Sequence, residues 1–276
     1  MRRQRRRSVG FGLSVPSPAK RLSTCPERDQ YGEDAPSPGP DGDAPPGLAS
    51  VVPLRSGRRR DRSRPGDGAS TKLATLGDID DATDEWAEHA GGWDDDPAAR
   101  AYAAAAHRSL LEVVADHGLG LAGAHVLDFG CGTGLLTELL VDTVGPIDAV
   151  DTSPTMLAVL DRKVADRAWT TVTLGSVVPD STFDLVVCSS VCSFLDDYPA
   201  TVADLVGRLR PGGVFVQWDW ERVGDDPHGL GRDEIRSALT LAGLEQIDVR
   251  TAFSVDVGEQ TMDPLIGHGR RPTSNA

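Results

Sequence analysis

Val126-Leu127-Asp128-Phe129-Gly130-Cys131-Gly132-Thr133-Gly134-Leu135-Leu136 passes from an apolar strand through an acid into a glycine-rich turn and then into a helical apolar run. Glycines let the backbone take conformations closed to other residues and let a ligand approach closely. The helix that follows offers free N–H groups. A strand, turn and helix in this order form a nucleotide-cofactor site at the carboxyl edge of a sheet. The spacing is GxGxG, not the GxGxxG of a dinucleotide fold. Asp128 stands just before the turn, where a carboxylate repels a pyrophosphate but helps hold a cationic amino-acid group. Asp151 ends the next strand, 23 residues after Asp128, near the offset of about 20 at which an acid binds ribose hydroxyls. Asp151 suits any adenosine ribose, so Asp128 decides for S-adenosylmethionine (SAM) over NAD.

Outward from this stretch, short apolar strands alternate with helices. Strands are expected at His125–Phe129, Ile147–Val150, Thr170–Leu174, Phe183–Cys188, Val214–Trp218, Gln246–Phe253 and Leu265–Arg270. Helices are expected at Gly134–Val141, Pro154–Asp166, Tyr198–Leu209 and Arg232–Ala242. Ahead of them, Asp78–His89 reads as an acidic helix. Pro97–His117 reads as a longer one: Pro97 suits a first turn, Tyr102, Ala105, Ala106, Leu110, Val113 and Val114 recur at helical spacing, and Gly118 and Gly120 end it. Each parallel crossover needs a helix, so the pattern is that of an α/β domain with a mostly parallel sheet and helices on both faces.

Composition divides the 276 residues in two. Residues 1–75 are rich in Arg, Pro and Gly, as in Ala35–Gly47 and Arg55–Gly66, and lack sustained apolar periodicity. Burial there cannot offset an ordering cost of about 1–2 kcal/mol per residue, so a disordered tail is expected ahead of a domain at 76–276. Ser8–Val15 is too short, and too broken by Gly10 and Gly12, for the apolar part of an export signal, and no apolar run is long enough to span a membrane. Residues 1–70 hold 14 Lys and Arg against 8 Asp and Glu, which from the whole chain's 28 and 42 leaves 14 against 34 in residues 71–276. So acidic a body repels phosphate backbones and argues against nucleic acid. Cys25, Cys131, Cys188 and Cys192 form neither a CxxC pair nor a Cys/His cluster, so no disulfide framework or metal site is expected. A cytoplasmic enzyme fits, monomeric in the absence of any heptad pattern.

Four blocks together resemble the class I SAM-dependent methyltransferases, in their small-molecule branch with the VLDxGCGTG signature. They are Val126–Gly134, Ile147–Leu157, Phe183–Val187 and Leu209–Gly213, within a resemblance running from about Trp86 to Arg271. It implies a Rossmann-like, doubly wound, seven-stranded sheet with the last strand antiparallel. Gly130, Cys131, Gly132 and Gly134 then lie under the cofactor, with Asp128 near its methionine amino group. Asp151 takes the ribose hydroxyls, Thr152 and Met156 flank the adenine, and Ser189 and Ser190 face the methionine end. The family commonly has an acid after the third strand, near the adenine amino group; here Ser176 stands near that place. The Arg210-Pro211-Gly212-Gly213 turn is structural.

The acceptor leaves less trace, because methyl transfer from a sulfonium needs alignment more than side-chain chemistry. Trp86, His89 and Trp93 fall where relatives fold a lid over the cofactor, with Trp93-Asp94 in place of a common Tyr-Asp pair; both tryptophans equally suit packing on the sheet. Gln217-Trp218-Asp219-Trp220-Glu221 ends the fifth strand at the site edge, and alternation turns Trp218 and Trp220 to one face and the acids to the other. Asp219 and Glu221 are therefore the first choices for a base, His228 the next, and Trp86, Trp93 and Trp218 the candidates for acceptor contact. His107, His117, His125 and His268 read as structural. Two other functions compete with methyl transfer to a small molecule. One is a catalytically silent SAM-binding regulator. The other is an NAD(P)-dependent oxidoreductase, which the spacing and the lack of a Tyr-xxx-Lys pair disfavour.

Overall fold

The computed structural model describes residue 84 and residues 86–222, 229–257 and 260–273. The expected tail at 1–75, the first residues of the domain, His228 and residues 78–83 and 85 of the helix expected over Asp78–His89 lie outside them; of that helix only its end is seen, in a short one at Ala87–Ala90. Within them, nine strands and six α-helices follow one another from Ala87. The strands β1 (Val126–Phe129), β2 (Ile147–Val150), β3 (Val172–Gly175), β4 (Phe183–Ser189), β5 (Leu209–Asp219), β6 (Glu245–Thr251) and β9 (Leu265–Arg270) form one sheet. Its order is β3-β2-β1-β4-β5-β9-β6. The first five run parallel, and β9 runs antiparallel to both β5 and β6. This is the Rossmann-like, mostly parallel sheet expected, with the last strand reversed. Because β1 pairs with β2 on one side and β4 on the other, the chain reverses its winding at β1, which puts a cleft at that strand's carboxyl end.

Alternation along the central strands feeds two apolar layers. Val126, Leu185, Val187, Val214, Val216 and Trp218 pack on one face against the helices α2 (Pro97–Asp116), α3 (Leu135–Leu140) and α4 (Pro154–Asp166). Leu127, Phe129, Val186, Cys188 and Phe215 pack on the other against α5 (Tyr198–Gly207) and α6 (Arg232–Leu241). Strands covered on both faces read as near-continuous apolar runs, which is why they are easy to see in the sequence.

The long helix α2 starts where its cap is built. The Asp96 carboxylate accepts from Ala98 N at 2.7 Å, and Pro97 fills the first helical position. It ends in a Schellman motif: Gly118 takes φ +65°, and Leu119 N donates to Val114 O at 2.8 Å. Between the caps Ala106, Leu110 and Val113 are fully buried, each of the two larger side chains contributing about 1.5–3 kcal/mol by leaving water. Leu110→Ala would cost about 2–5 kcal/mol.

Two departures from the sequence-based expectation have local causes. β5 begins at Leu209, so the expected Arg210–Gly213 turn is a bulge inside the strand: Phe183 pairs with Leu209, but Leu185 already pairs with Val214. Arg210 bonds Asp184 at 2.5 Å, and Gly212, at φ +83°, donates to Arg271 O, so the extra residues are held rather than looped out. A two-stranded ribbon, β7 (Val255–Val257) and β8 (Gln260–Met262), was not expected at all. Its two strands of three residues each, Val255-Asp256-Val257 and Gln260-Thr261-Met262, are too short for alternation to stand out.

Candidate cofactor and acceptor site

At the carboxyl ends of β1 and β2 the glycine turn is held in one shape. Gly130 N and Cys131 N donate to Val150 O at 2.7 and 3.0 Å, tying the turn to the end of β2. Gly130 and Gly134 have φ of +71° and +80°, and a Cβ on either would overlap Val191 or Leu160. Gly132, at φ +54°, faces open space instead. Two glycines thus serve packing, and the middle one leaves backbone exposed to a ligand.

Two acids flank this turn. Asp128 is buried in β1; its Oδ2 accepts from Thr137 Oγ1 at 2.6 Å, while Oδ1 has no partner among the described residues. Burial, with the charge of Asp151 adding to it, pushes the Asp128 carboxyl up to about 6. A buried acceptor without a donor is costly and is expected to meet one in a bound state. Asp151 has both oxygens engaged by backbone, Oδ2 by Gly132 N and Oδ1 by Ser153 N, each at 2.8 Å. Burial raises its pKa as well. Each oxygen keeps a second lone pair for a hydroxyl donor. The two carboxylates, the turn and the open face at Gly132 fit a ligand with an ammonium group and a diol.

The remaining cofactor residues spread along the same edge. Thr152 follows Asp151; Met156 is buried in the first turn of α4, its N–H donating to the Ser153 cap at 3.1 Å. Ser176 is exposed beyond β3, beside Asp151, whose N–H donates to Gly175 O. Ser189 ends β4. Ser190 takes a left-handed φ of +58° and donates to Tyr102 Oη at 2.8 Å, so its hydroxyl is engaged by α2. Burial raises the pKa of the Cys131 thiol, whose weak donor reaches only Gly132 O, at 3.7 Å.

On the acceptor side the structure brings some candidates together and separates others. Trp86 meets Trp93 edge-on with ring centres 6.3 Å apart, and meets His89 and Phe194 at 6.4 and 5.5 Å. Trp218 is withdrawn: it is fully buried against α2, and its indole N–H donates to Ser109 Oγ at 2.9 Å. Alternation along β5 puts it in the same layer as Val214 and Val216, which corrects its expected place at the acceptor. Trp220, two residues on, reaches Tyr102 and lies nearer the strand end. Glu221 is exposed and gripped by Arg232 through two bonds of 2.8 and 3.0 Å. Asp219 is fully buried, accepts from Ser193 N at 3.1 Å, and is pushed up to about 7 by burial.

Several contacts here were not anticipated from the sequence. Asp84 accepts from Ser153 Oγ at 2.9 Å and Thr155 N at 3.2 Å, and Asp94 accepts from Thr133 Oγ1 at 2.6 Å and pairs with Lys163 at 2.5 Å. Asp84 lies in an acidic stretch with no pattern that singles it out, and Asp94 was marked only as part of the Trp93-Asp94 pair, without these partners. Thr137 did leave a trace, as the one hydroxyl in the apolar face of Leu135–Leu140.

Residues 127–217 match the methyltransferase domain family. Over 115 residues the chain is 33% identical to a malonyl-(acyl-carrier protein) O-methyltransferase of Serratia marcescens, covering 41% of this chain and 45% of that one. Over 127 residues it is 32% identical to a trans-aconitate 2-methyltransferase of Azoarcus, covering 45% of this chain and 50% of that one. The chain thus spans about half the length of these curated relatives. The solved structure of the 4+2 cyclase SpnF shares the fold, with a TM-score of 0.50 at 18% identity over 61% of this chain and 82% of that one.

Proposed function

We propose, for a chain that belongs to the class I SAM-dependent methyltransferases through its domain at residues 127–217, that it transfers the methyl group of SAM to a small molecule. One observation carries this reading: the buried, partnerless Oδ1 of Asp128 beside a turn that is open at Gly132. An ammonium group supplies the missing donor and the opposite charge, whereas a pyrophosphate would add charge of the same sign as Asp128 and Asp151. Asp128 then holds the methionine amino group, and Gly130, Cys131, Gly132 and Gly134 form the floor. Asp151 accepts from the ribose hydroxyls; Thr152 and Met156 flank the adenine, with Ser176 at its edge; Ser189 and Ser190 face the methionine end.

SAM supplies a methyl group on a cationic sulfur, open to in-line displacement. The chain's task is to align the acceptor and exclude water. Trp86 and Trp93 form an aromatic wall for the acceptor. Asp219, made basic by burial, takes the proton of an acceptor that arrives protonated. Glu221 is the poorer base because Arg232 holds its charge in place. The enzyme acts in the cytoplasm, as a monomer, on a free metabolite; the excess of acids in residues 71–276 supports this against nucleic acid. No described helix is long and apolar enough to cross a membrane.

Incubation with methyl-labelled SAM and fractionated metabolite pools tests the reading. A labelled small-molecule product is expected. SAM binding without labelled product in any pool would favour a catalytically silent SAM-binding protein.

A further inference from the structure

We propose that Asp94 and Lys163 are positioning residues that latch the segment 86–96 onto the glycine turn and thereby control how fast the cofactor exchanges. The proposal rests on reading Gly130–Gly134 as the cofactor cradle. Asp94 sits in a single 3-10 turn, Trp93–Asp95, immediately before α2. Its Oδ1 accepts from Thr133 Oγ1 at 2.6 Å, and Thr133, 1% exposed, lies between Gly132 and Gly134. Its Oδ2 meets Lys163 Nζ at 2.5 Å; Lys163 reaches Glu138 Oε2 at 3.5 Å, and Glu138 in turn pairs with Arg167 at 2.5 Å. Arg100, one turn into α2, donates to the backbone carbonyl of Asp94. The chain has only three lysines, Lys20, Lys72 and Lys163, so the one among the described residues is engaged here.

A second tie reaches the opposite wall of the cradle. Asp84 accepts from Trp86 N, Ser153 Oγ and Thr155 N, at the turn that also fixes Asp151. Burial alone would raise its pKa, but the bonds from Thr155 and Ser153 outweigh that and hold the carboxyl below its ordinary value. Trp93 and Trp86 then extend the segment edge-to-edge as far as Phe194, beyond β4. The segment, with Asp84 ahead of it, therefore touches the glycine turn, the β2–α4 turn and the β4–α5 loop. The Asp94–Lys163 pair has side chains only 22% and 14% exposed, so it is screened less than an ordinary surface pair. Asp94 fixes Thr133 in the middle of a turn whose positive φ values need support. Breaking the pair frees the turn and the segment together.

Lys163→Met and Asp94→Asn, with the exchanged pair Asp94→Lys/Lys163→Asp, test this in the full chain. SAM dissociation is followed by stopped-flow tryptophan fluorescence, and backbone hydrogen exchange is followed by mass spectrometry without ligand. Lys163→Met is expected to speed SAM dissociation about tenfold, which corresponds to 1.36 kcal/mol, and to raise exchange at 86–96 and 130–134 together. The exchanged pair is expected to recover part of both effects. Exchange at 130–134 equal to wild type in both single variants would overturn the latch even if SAM binds normally. Wild-type dissociation rates in both would overturn it equally. A wild-type chain that binds no SAM overturns the cofactor reading and the latch with it. A variant that loses folding is recognised by its melting curve and replaced by Lys163→Gln, for which the same exchange result is expected.

Discussion

At the scale of single residues, Asp128 carries opposite consequences for stability and for binding. Its Oδ1 is buried with no donor among the described residues, so the protein alone does not offset its desolvation. Asp128→Asn keeps the shape and removes the buried charge. It is expected to leave the melting temperature of the unliganded protein unchanged or higher, while weakening SAM binding about tenfold or more, the scale of a lost charge-assisted bond; calorimetry and a thermal melt check the two halves. Asp219 makes a kinetic prediction. With its carboxyl pushed up to about 7, kcat/KM for an acceptor that must lose a proton rises with pH through that value. A pH–rate profile that is flat from 5.5 to 8.5, or unchanged in Asp219→Asn, would remove Asp219 from the mechanism. At this scale Asp128 and Asp151 could be singled out as candidates, because they sit at fixed places relative to strands and glycines. Trp218 was misplaced because alternation gives a side chain's face but not its depth. Asp84, Asp94 and Lys163 act through contacts between residues distant in sequence, which no local pattern records.

At the scale of elements, strands and helices were legible where burial imposes a period, and least so where hydrogen bonds alone define them. β1, β2 and β4 are largely apolar and buried, and their bounds, like those of β9 beside β5, fall within a residue of expectation. The β7–β8 ribbon and the start of β5 each hold only one to three apolar residues, Val255, Val257 and Met262 in the ribbon and Leu209 in β5, too few to set a period, so backbone pairing defines them. The α2 helix shows how little sequence can decide an element's placement. Asp96→Ala removes the acceptor for Ala98 N and is expected to cost about 1 kcal/mol in urea unfolding. Because α2 begins directly after the segment that carries Asp94, the same variant should also weaken SAM binding. Ala98→Gly, also in the first turn, should cost a similar amount of stability with no such effect; equal binding losses in both would mean that α2 acts on the site only through global stability.

At the scale of the whole molecule, two buried acids and a buried histidine oppose each other in pH. Asp219 and Asp128 have folded pKa values raised to about 7 and about 6, so the stability tied to their neutral forms is complete below about 4 and is lost as pH rises through those values. His268 runs the other way: burial, then its neighbour His117 at 2.9 Å, lowers it to about 4. Its contribution is complete above about 6.5 and is lost as pH falls towards 4. Between pH 4 and 6 the two acids outweigh the one histidine, so these groups make the unliganded chain lose stability as pH rises from about 4, and the fall ends near 7. In Asp219→Asn the decline between pH 4 and 7 should be shallower, and in His268→Gln the decline between pH 4 and 6.5 steeper; chemical denaturation across pH measures both. SAM binding should flatten the wild-type decline, since an ammonium beside Asp128 favours its charged form. The fold was legible as a whole because one stretch, Val126–Leu136, places strand, turn and helix in a single order, while the acceptor was not, because alignment can be built from many residue types. The central claim is that this turn, with Asp128 and Asp151, holds SAM. Parallel calorimetric titrations with SAM and NAD test it most directly: the account predicts one SAM bound per chain, sharply weaker binding in Asp151→Ala and no heat from NAD, and saturable NAD binding without SAM binding would contradict it.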